Sequence, residues 1–105
     1  MIGYRFLSPA EEEMSEASLF YEAATSGLGK DFLADVQQVI DRLREYPKSL
    51  EHVASGLRRM LLRRFPFSII YSVEADAILV IAIAHHGRHP GYWQSRVGRG
   101  RGAQL

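Results

Sequence analysis

The segment "LRRMLLRRFPFSIIYSVEADAILVIAIAH", Leu57 to His85, decides the fold. It divides into three β-rich runs, "LRRMLLRRF", "FSIIYSV" and "AILVIAIAH". Pro66 parts the first two, and Glu74–Asp76 parts the next two. Connections this short predict hairpins, and so an antiparallel meander. "AILVIAIA" shows no polar alternation, which predicts a central strand covered on both faces. It is also the longest apolar run, and it is far too short to cross a bilayer.

Upstream, the period changes. "IGYRFL" (Ile2–Leu7) partly alternates and reads as a short strand. In "SPAEEE", Ser8 is a good N-cap, Pro9 suits the first helical turn, and Glu11 completes a capping box. Met14, Ala17, Tyr21 and Ala24 follow at helical spacing, with Phe20 alongside, until Gly27 stops the helix. A second helix is predicted from about Lys30 to Tyr46. Phe32, Val36, Val39, Leu43 and Tyr46 form its stripe, widened by Leu33 and Ile40, and Pro47 ends it. Two amphipathic helices with a short connection imply a hairpin. "YPKSLEHVASG" (Tyr46–Gly56) reads as a loop. The order strand, helix, helix, strand, strand, strand predicts an α+β sandwich: a βααβββ chain whose helical hairpin packs on one face of an antiparallel sheet.

The chain of 105 residues is expected to form one domain over residues 1–96, with a basic Gly/Arg tail at 97–105 that reads as disordered. Apolar residues make up 47% and charged residues 24%, ordinary for a soluble globular protein. The absence of cysteine excludes disulfides and thiolate metal sites and fits a cytoplasmic location. "MIGYRFLSPAEEEM" lacks the apolar core and cleavage site of a signal peptide. A net charge of +1 hides a polarity. Residues 1–56 hold 5 Lys+Arg against 10 Asp+Glu, and residues 57–105 hold 8 Arg against Glu74 and Asp76. Such asymmetry points the C-terminal half at something anionic: nucleic acid, an acidic protein segment, or the chain's own acidic half.

Chemistry-bearing residues concentrate in that half. Arg58, Arg59, Arg63 and Arg64 crowd one predicted strand, with Arg59, Leu61 and Arg63 on one face and Arg58, Met60, Leu62 and Arg64 on the other. Charge on an edge strand keeps it soluble. An arginine fork equally suits phosphate or carboxylate, and this half uses no lysine at all. In "HHGRHPGYW", the spacing of His85, His86 and His89 is poor for a metal, so no metal or other cofactor is expected. A histidine here suits general acid–base work, or simply a hydrogen bond at a sheet end. Tyr92 and Trp93 beside Arg88 and Arg96 make an aromatic–cationic cluster suited to an interface. "SGLGK" (Ser26–Lys30) has the look of a phosphate loop, but it lacks the full spacing and follows a helix.

Two stretches, "GLRRMLLRRFPFSIIYSV" (Gly56–Val73) and "ILVIAIAHHGRHPGYWQSR" (Ile78–Arg96), carry a resemblance. The chain resembles the RelE/ParE superfamily of small toxins from bacterial type II toxin–antitoxin pairs, and more closely its ParE-like, plasmid-stabilisation branch. The resemblance spans about residues 2–96 and implies the βααβββ sandwich read above. It implies a growth-inhibiting toxin neutralised by a cognate antitoxin whose acidic or amphipathic C-terminal segment wraps it. Either a homodimer or a heterotetramer with the antitoxin is compatible with it, and no membrane partner is expected.

The superfamily divides by target. RelE-like members cleave messenger RNA on the ribosome with cations around the scissile phosphate. By resemblance, their strand arginine corresponds here to Ser68, and their two strand lysines to Arg59 and Leu61. Arg88 matches their later arginine, and Tyr92 stands for their terminal tyrosine. An endoribonuclease reading therefore rests on Arg59, His85, Arg88 and Tyr92. ParE-like members lack that set and are associated with inhibition of DNA gyrase. The resemblance favours that branch, a binding protein more than an enzyme, with Arg58, Arg59, Arg63, Arg64, Arg88, Tyr92, Trp93 and Arg96 as its antitoxin- and target-binding residues. A non-toxic binding module of the same fold is the third reading.

Overall fold

The computed structural model describes residues 2–48, 52–54 and 56–97. Its elements run β1 (Gly3–Phe6), α1 (Ser8–Ala24), α2 (Leu28–Glu45), β2 (His52–Ala54), β3 (Leu57–Leu61), β4 (Phe67–Val73) and β5 (Ala77–His85), followed by a short 3-10 turn (Gln94–Arg96). One sheet, in the order β1-β5-β4-β3-β2, carries the helical hairpin on one face. The α+β class and the helical hairpin agree with the sequence reading.

Two details differ from it, and they share a cause. The segment read as a loop contains β2, a three-residue strand antiparallel to β3. The sheet is also mixed, because β1 pairs parallel with β5. Each short connection reverses the chain. With β2 included, the number of reversals between β1 and β5 is even and the two strands run parallel; overlooking β2 makes them antiparallel.

Both faces of the sheet are covered. Phe67, Ile69, Tyr71, Ile78, Val80 and Ile83 pack against Phe32, Val36, Val39, Ile40 and Leu43 of α2. On the opposite face, Ile70, Leu79, Ile81, Ala82 and Ala84 lie beneath Trp93 and Val97. A bulge in β5 joins the two patterns. Tyr71 pairs with Val80 and Ile70 with Ala82, so Ile81 is an extra residue. Ile81 and Ala82 consequently face the same side, which explains an apolar run with no alternation. Val97 is buried in that second layer, so the packed domain reaches one residue beyond the expected boundary; the remainder of the tail, 98–105, lies outside the described residues.

Helix boundaries shift for local reasons. The expected Ser8 cap is not used. Leu7 still donates its N–H to Val80 at 2.9 Å, extending the β1 ladder, so the helix begins at once with Leu7 in the capping position and no side-chain cap. At α2, the glycine-rich turn does bind an anion, but the anion is internal. The Glu22 carboxylate accepts the N–H of Gly27 at 2.9 Å and of Gly29 at 3.0 Å. These bonds hold its carboxyl below the ordinary value. Leu33 and Tyr46, read as part of the α2 stripe, are exposed.

Candidate functional site

The four arginines of β3 and its turn face different things. Arg58 pairs across the ladder with Tyr71 on the helix side and donates to the Lys48 carbonyl at 3.1 Å. Arg59 pairs with Ile70 and lines a groove on the opposite face. Arg63 and Arg64 sit in the β3–β4 turn against α2. Buried Asp35 accepts both of their backbone N–H groups, at 3.2 and 2.8 Å, and Arg64 approaches Asp31 at 3.7 Å. That pair is fastened to the chain's own acidic half, well separated in role from the groove.

The groove encloses about 620 Å³. Its floor is Ser68, Ile70 and Ala84, and Arg59, His85, His86, Arg88, His89, Tyr92 and Trp93 contribute to its walls. Among the described residues its lining includes no carboxylate. Buried Ser68 places its hydroxyl 2.9 Å from Nε2 of His86. His85 turns the other way: its ring meets Phe67 edge-on at 5.0 Å, and its Nδ1 accepts the Gly87 N–H at 2.8 Å. The two adjacent histidines thus diverge. Among the described residues, no three metal-ligating side chains converge.

Behind the groove, Glu13 of α1 gathers the predicted cluster. Its carboxylate accepts the Tyr92 hydroxyl at 2.6 Å, Arg96 at 2.8 and 2.9 Å, Arg88 at 3.2 Å and the Ile83 N–H at 3.0 Å. Burial alone would raise the Glu13 carboxyl, but hydrogen bonds from Arg96, Tyr92 and Ile83 hold it below its usual value. The same bond to Glu13 raises Arg96. The Tyr92 hydroxyl is pushed up to about 12, first by burial and then by its bond to Glu13. Arg88 stacks over the Tyr92 ring at 3.6 Å.

The expected site residues therefore separate into two groups. Arg59, His85, Arg88, Tyr92 and Trp93 come together at the groove. Arg58, Arg63 and Arg64 stand elsewhere. Trp93 is 6% exposed and belongs mainly to the second core layer, while Arg96 is committed to Glu13 and the Ile81 carbonyl. The sequence reading gives Glu13 and Asp35 no role, names Ser68 only as a departure from the ribonuclease branch, and names His86 only within the histidine cluster. A signal existed for both acids: Glu13 lies three residues after buried Ala10, and Asp35 three after buried Phe32, so each interrupts a core-facing stripe.

A small βααββββ domain with a cationic groove on the sheet face away from its helices is the class these features define. In the solved structure "Chromosomal ParDE TA system from P. aeruginosa", one chain superposes with a TM-score of 0.60 at 18% identity, covering 81% of this chain and 96% of that one. Comparison with curated proteins gives no match. The family model for the ParE toxin of the type II toxin–antitoxin system, parDE, matches residues 4–90. The chain belongs to the ParE toxin family.

Proposed function

We propose that this chain is a toxin that inhibits DNA gyrase in the cytoplasm by binding, and that a cognate antitoxin neutralises it. The observation that carries the reading is the floor of the groove. Where the ribonuclease branch presents an arginine, this chain has Ser68, its hydroxyl engaged by His86. A neutral hydroxyl does not stabilise the extra charge of a phosphorane-like transition state as a guanidinium does. The second acid–base candidate is also withdrawn, since the Tyr92 proton is committed to Glu13. Arg59, Arg88 and three histidines remain, which suit recognition of an anionic or polar protein surface.

A supercoiling assay with purified toxin and gyrase tests this directly. Inhibition that scales with toxin, together with intact translated messages in primer extension, is the expected pair of results. Messages cut at codon positions with gyrase unaffected would replace this reading with the endoribonuclease one.

A further inference from the structure

Strand β3 puts an acid-binding group and an apolar one side by side on the groove face. Leu57 packs into the second layer and Met60 against the helix-side core. Alternation then sets Arg59 and Leu61 on the groove side. Arg59 pairs with Ile70 and Leu61 with Ser68, both of them floor residues. Same-face neighbours on a strand stand about 6.8 Å apart. Leu61 is 52% exposed, apolar area that a ligand lying along β3 would take from water.

The opposite bank is cationic and closed to stacking. Arg88 is engaged by Glu13 at 3.2 Å and lies on the Tyr92 ring at 3.6 Å, with Arg96 5.1 Å from the same ring centre. Trp93 is buried in the second layer. Single-stranded nucleic acid takes much of its affinity from bases stacked on aromatic faces. Neither ring offers that platform, so a nucleic acid would have only its phosphates to contribute. A carboxylate ligand meets no like charge here, because among the described residues the groove lining holds no acid. Arg59 presents it with a planar fork. Leu61 is placed to take an apolar side chain two positions along the same extended segment.

We infer that the groove binds an extended acidic segment of the target protein, with an acidic residue on Arg59 and an apolar residue, two positions away, on Leu61. The inference rests on the reading of the chain as a toxin that inhibits gyrase by binding. It names the chemistry of that contact, with Arg59 selecting the acid and Leu61 its apolar neighbour.

The test uses the full chain at low salt and three fluorescent probes followed by anisotropy. They are a peptide of three Glu-Ser-Leu-Ser repeats, the same peptide with serine in place of leucine, and an oligothymidylate of equal charge. The leucine peptide is expected to bind saturably, at least fivefold more tightly than either other probe, and to relieve inhibition in the gyrase supercoiling assay. Arg59→Gln should weaken both peptides at least fivefold. Leu61→Ser, at an exposed position, should erase the difference between the peptides on an unchanged melting temperature, and it keeps the test open if Arg59→Gln unfolds. Arg63→Gln makes the same charge change outside the groove and should bind like wild type. Absence of saturable peptide binding, or equal losses in Arg59→Gln and Arg63→Gln, overturns the inference. Oligothymidylate bound as tightly as the leucine peptide overturns it in favour of nucleic acid. Gyrase inhibition that saturating peptide does not relieve overturns it while leaving the gyrase reading intact. An Arg59→Gln chain that still inhibits gyrase but no longer binds the protein encoded by the adjoining reading frame assigns the groove to the antitoxin, which also overturns it. Wild-type chain that fails to inhibit gyrase at any ratio removes the underlying reading, and the inference goes with it.

Discussion

Glu13 and Arg96 together replace a missing length of β-strand. The ladder between β1 and β5 ends with Leu7 donating to Val80. Beyond it, the outer edge of β5 has no neighbouring strand among the described residues. Arg96 Nη1 donates to the Ile81 carbonyl at 3.0 Å, and Glu13 Oε1 accepts the Ile83 N–H at 3.0 Å. Their own ion pair, at 2.8 Å, closes the set, with side chains only 17% and 13% exposed. The charges that resemble a ligand site in the sequence are thus partly a device for finishing a sheet edge.

If so, removing one partner strands the other. Glu13→Ala and Arg96→Ala should each cost about 3 kcal/mol, as broken buried pairs do. In a domain of this size that lowers the melting temperature by roughly 12 °C or more. The double variant should lose clearly less than the sum of the two. Strict additivity of the two losses would show that Glu13 and Arg96 act independently, against the edge-completing role.

The same network sets the pH limits of stability. The Glu13 carboxyl is held below its ordinary 4.5 in the fold. Its contribution is complete above that value and disappears as pH falls through the lower folded-state value. Tyr92 works at the other end. Its hydroxyl is raised from 10.0 to about 12, so its contribution is complete below pH 10 and is lost as pH rises towards 12. Glu13→Gln should flatten the acid limb of the melting-temperature profile. It should also move Tyr92 down towards the ordinary tyrosine value, followed by tyrosinate absorbance with Tyr92→Phe as the blank. An unmoved Tyr92 titration in Glu13→Gln would assign the shift to burial alone.

Two glycines at the helix hairpin differ in what they forbid. A Cβ on Gly29 would lie 2.4 Å from the Ser18 carbonyl oxygen, with Glu22 atoms at about 3 Å, so α1 and α2 would have to separate. Gly27 has open space but sits at φ +87°, where a side chain is strained. Gly29→Ala is expected to destabilise by about 1–3 kcal/mol through overpacking, and Gly27→Ala by about 1 kcal/mol through backbone strain. Asparagine at 27, which tolerates that conformation, should recover part of the second loss and none of the first when placed at 29. Denaturant unfolding reads all four variants; an asparagine that recovers stability equally at both positions would refute the distinction.

Most of the fold was legible because its signals are local. Helix stripes, the Pro66 and Glu74–Asp76 breaks and the unbroken β5 run each concern residues near one another in sequence. What was missed depends on distant partners. β2 is only three residues long, and its identity comes from pairing with β3. Ser8 looks like a cap until Leu7 is known to be held by Val80. The site follows the same division. Arg59, Arg88 and Tyr92 could be named from their sequence context, whereas the commitment of Arg96 to Glu13 spans 83 positions and left no trace near Arg96. The interruptions of core stripes by Glu13 and Asp35 were readable. An acid at a core-facing helical position asks for a cation or N–H partner elsewhere.

Arg88 is where architecture and function can be separated. Its side chain is 54% exposed, and its pair with Glu13, at 3.2 Å, is the longest of the carboxylate's contacts. Exposed pairs contribute about 0–1 kcal/mol, so Arg88→Ala should fold and melt within about 5 °C of wild type. Its neighbour in the cluster behaves differently. Trp93 is 6% exposed, and Trp93→Ala should lose about 3–5 kcal/mol by leaving a cavity in the second layer. Both variants should reduce growth inhibition, but only the Arg88 variant should do so as a folded protein. Circular dichroism melts alongside induction assays separate the two cases. Because Arg88 stacks on the Tyr92 ring at 3.6 Å, Arg88→Lys keeps the charge but loses the planar stack and the fork. Toxicity restored by lysine would reduce the role of Arg88 to charge alone; toxicity absent with lysine on an unchanged melt places recognition in the guanidinium itself.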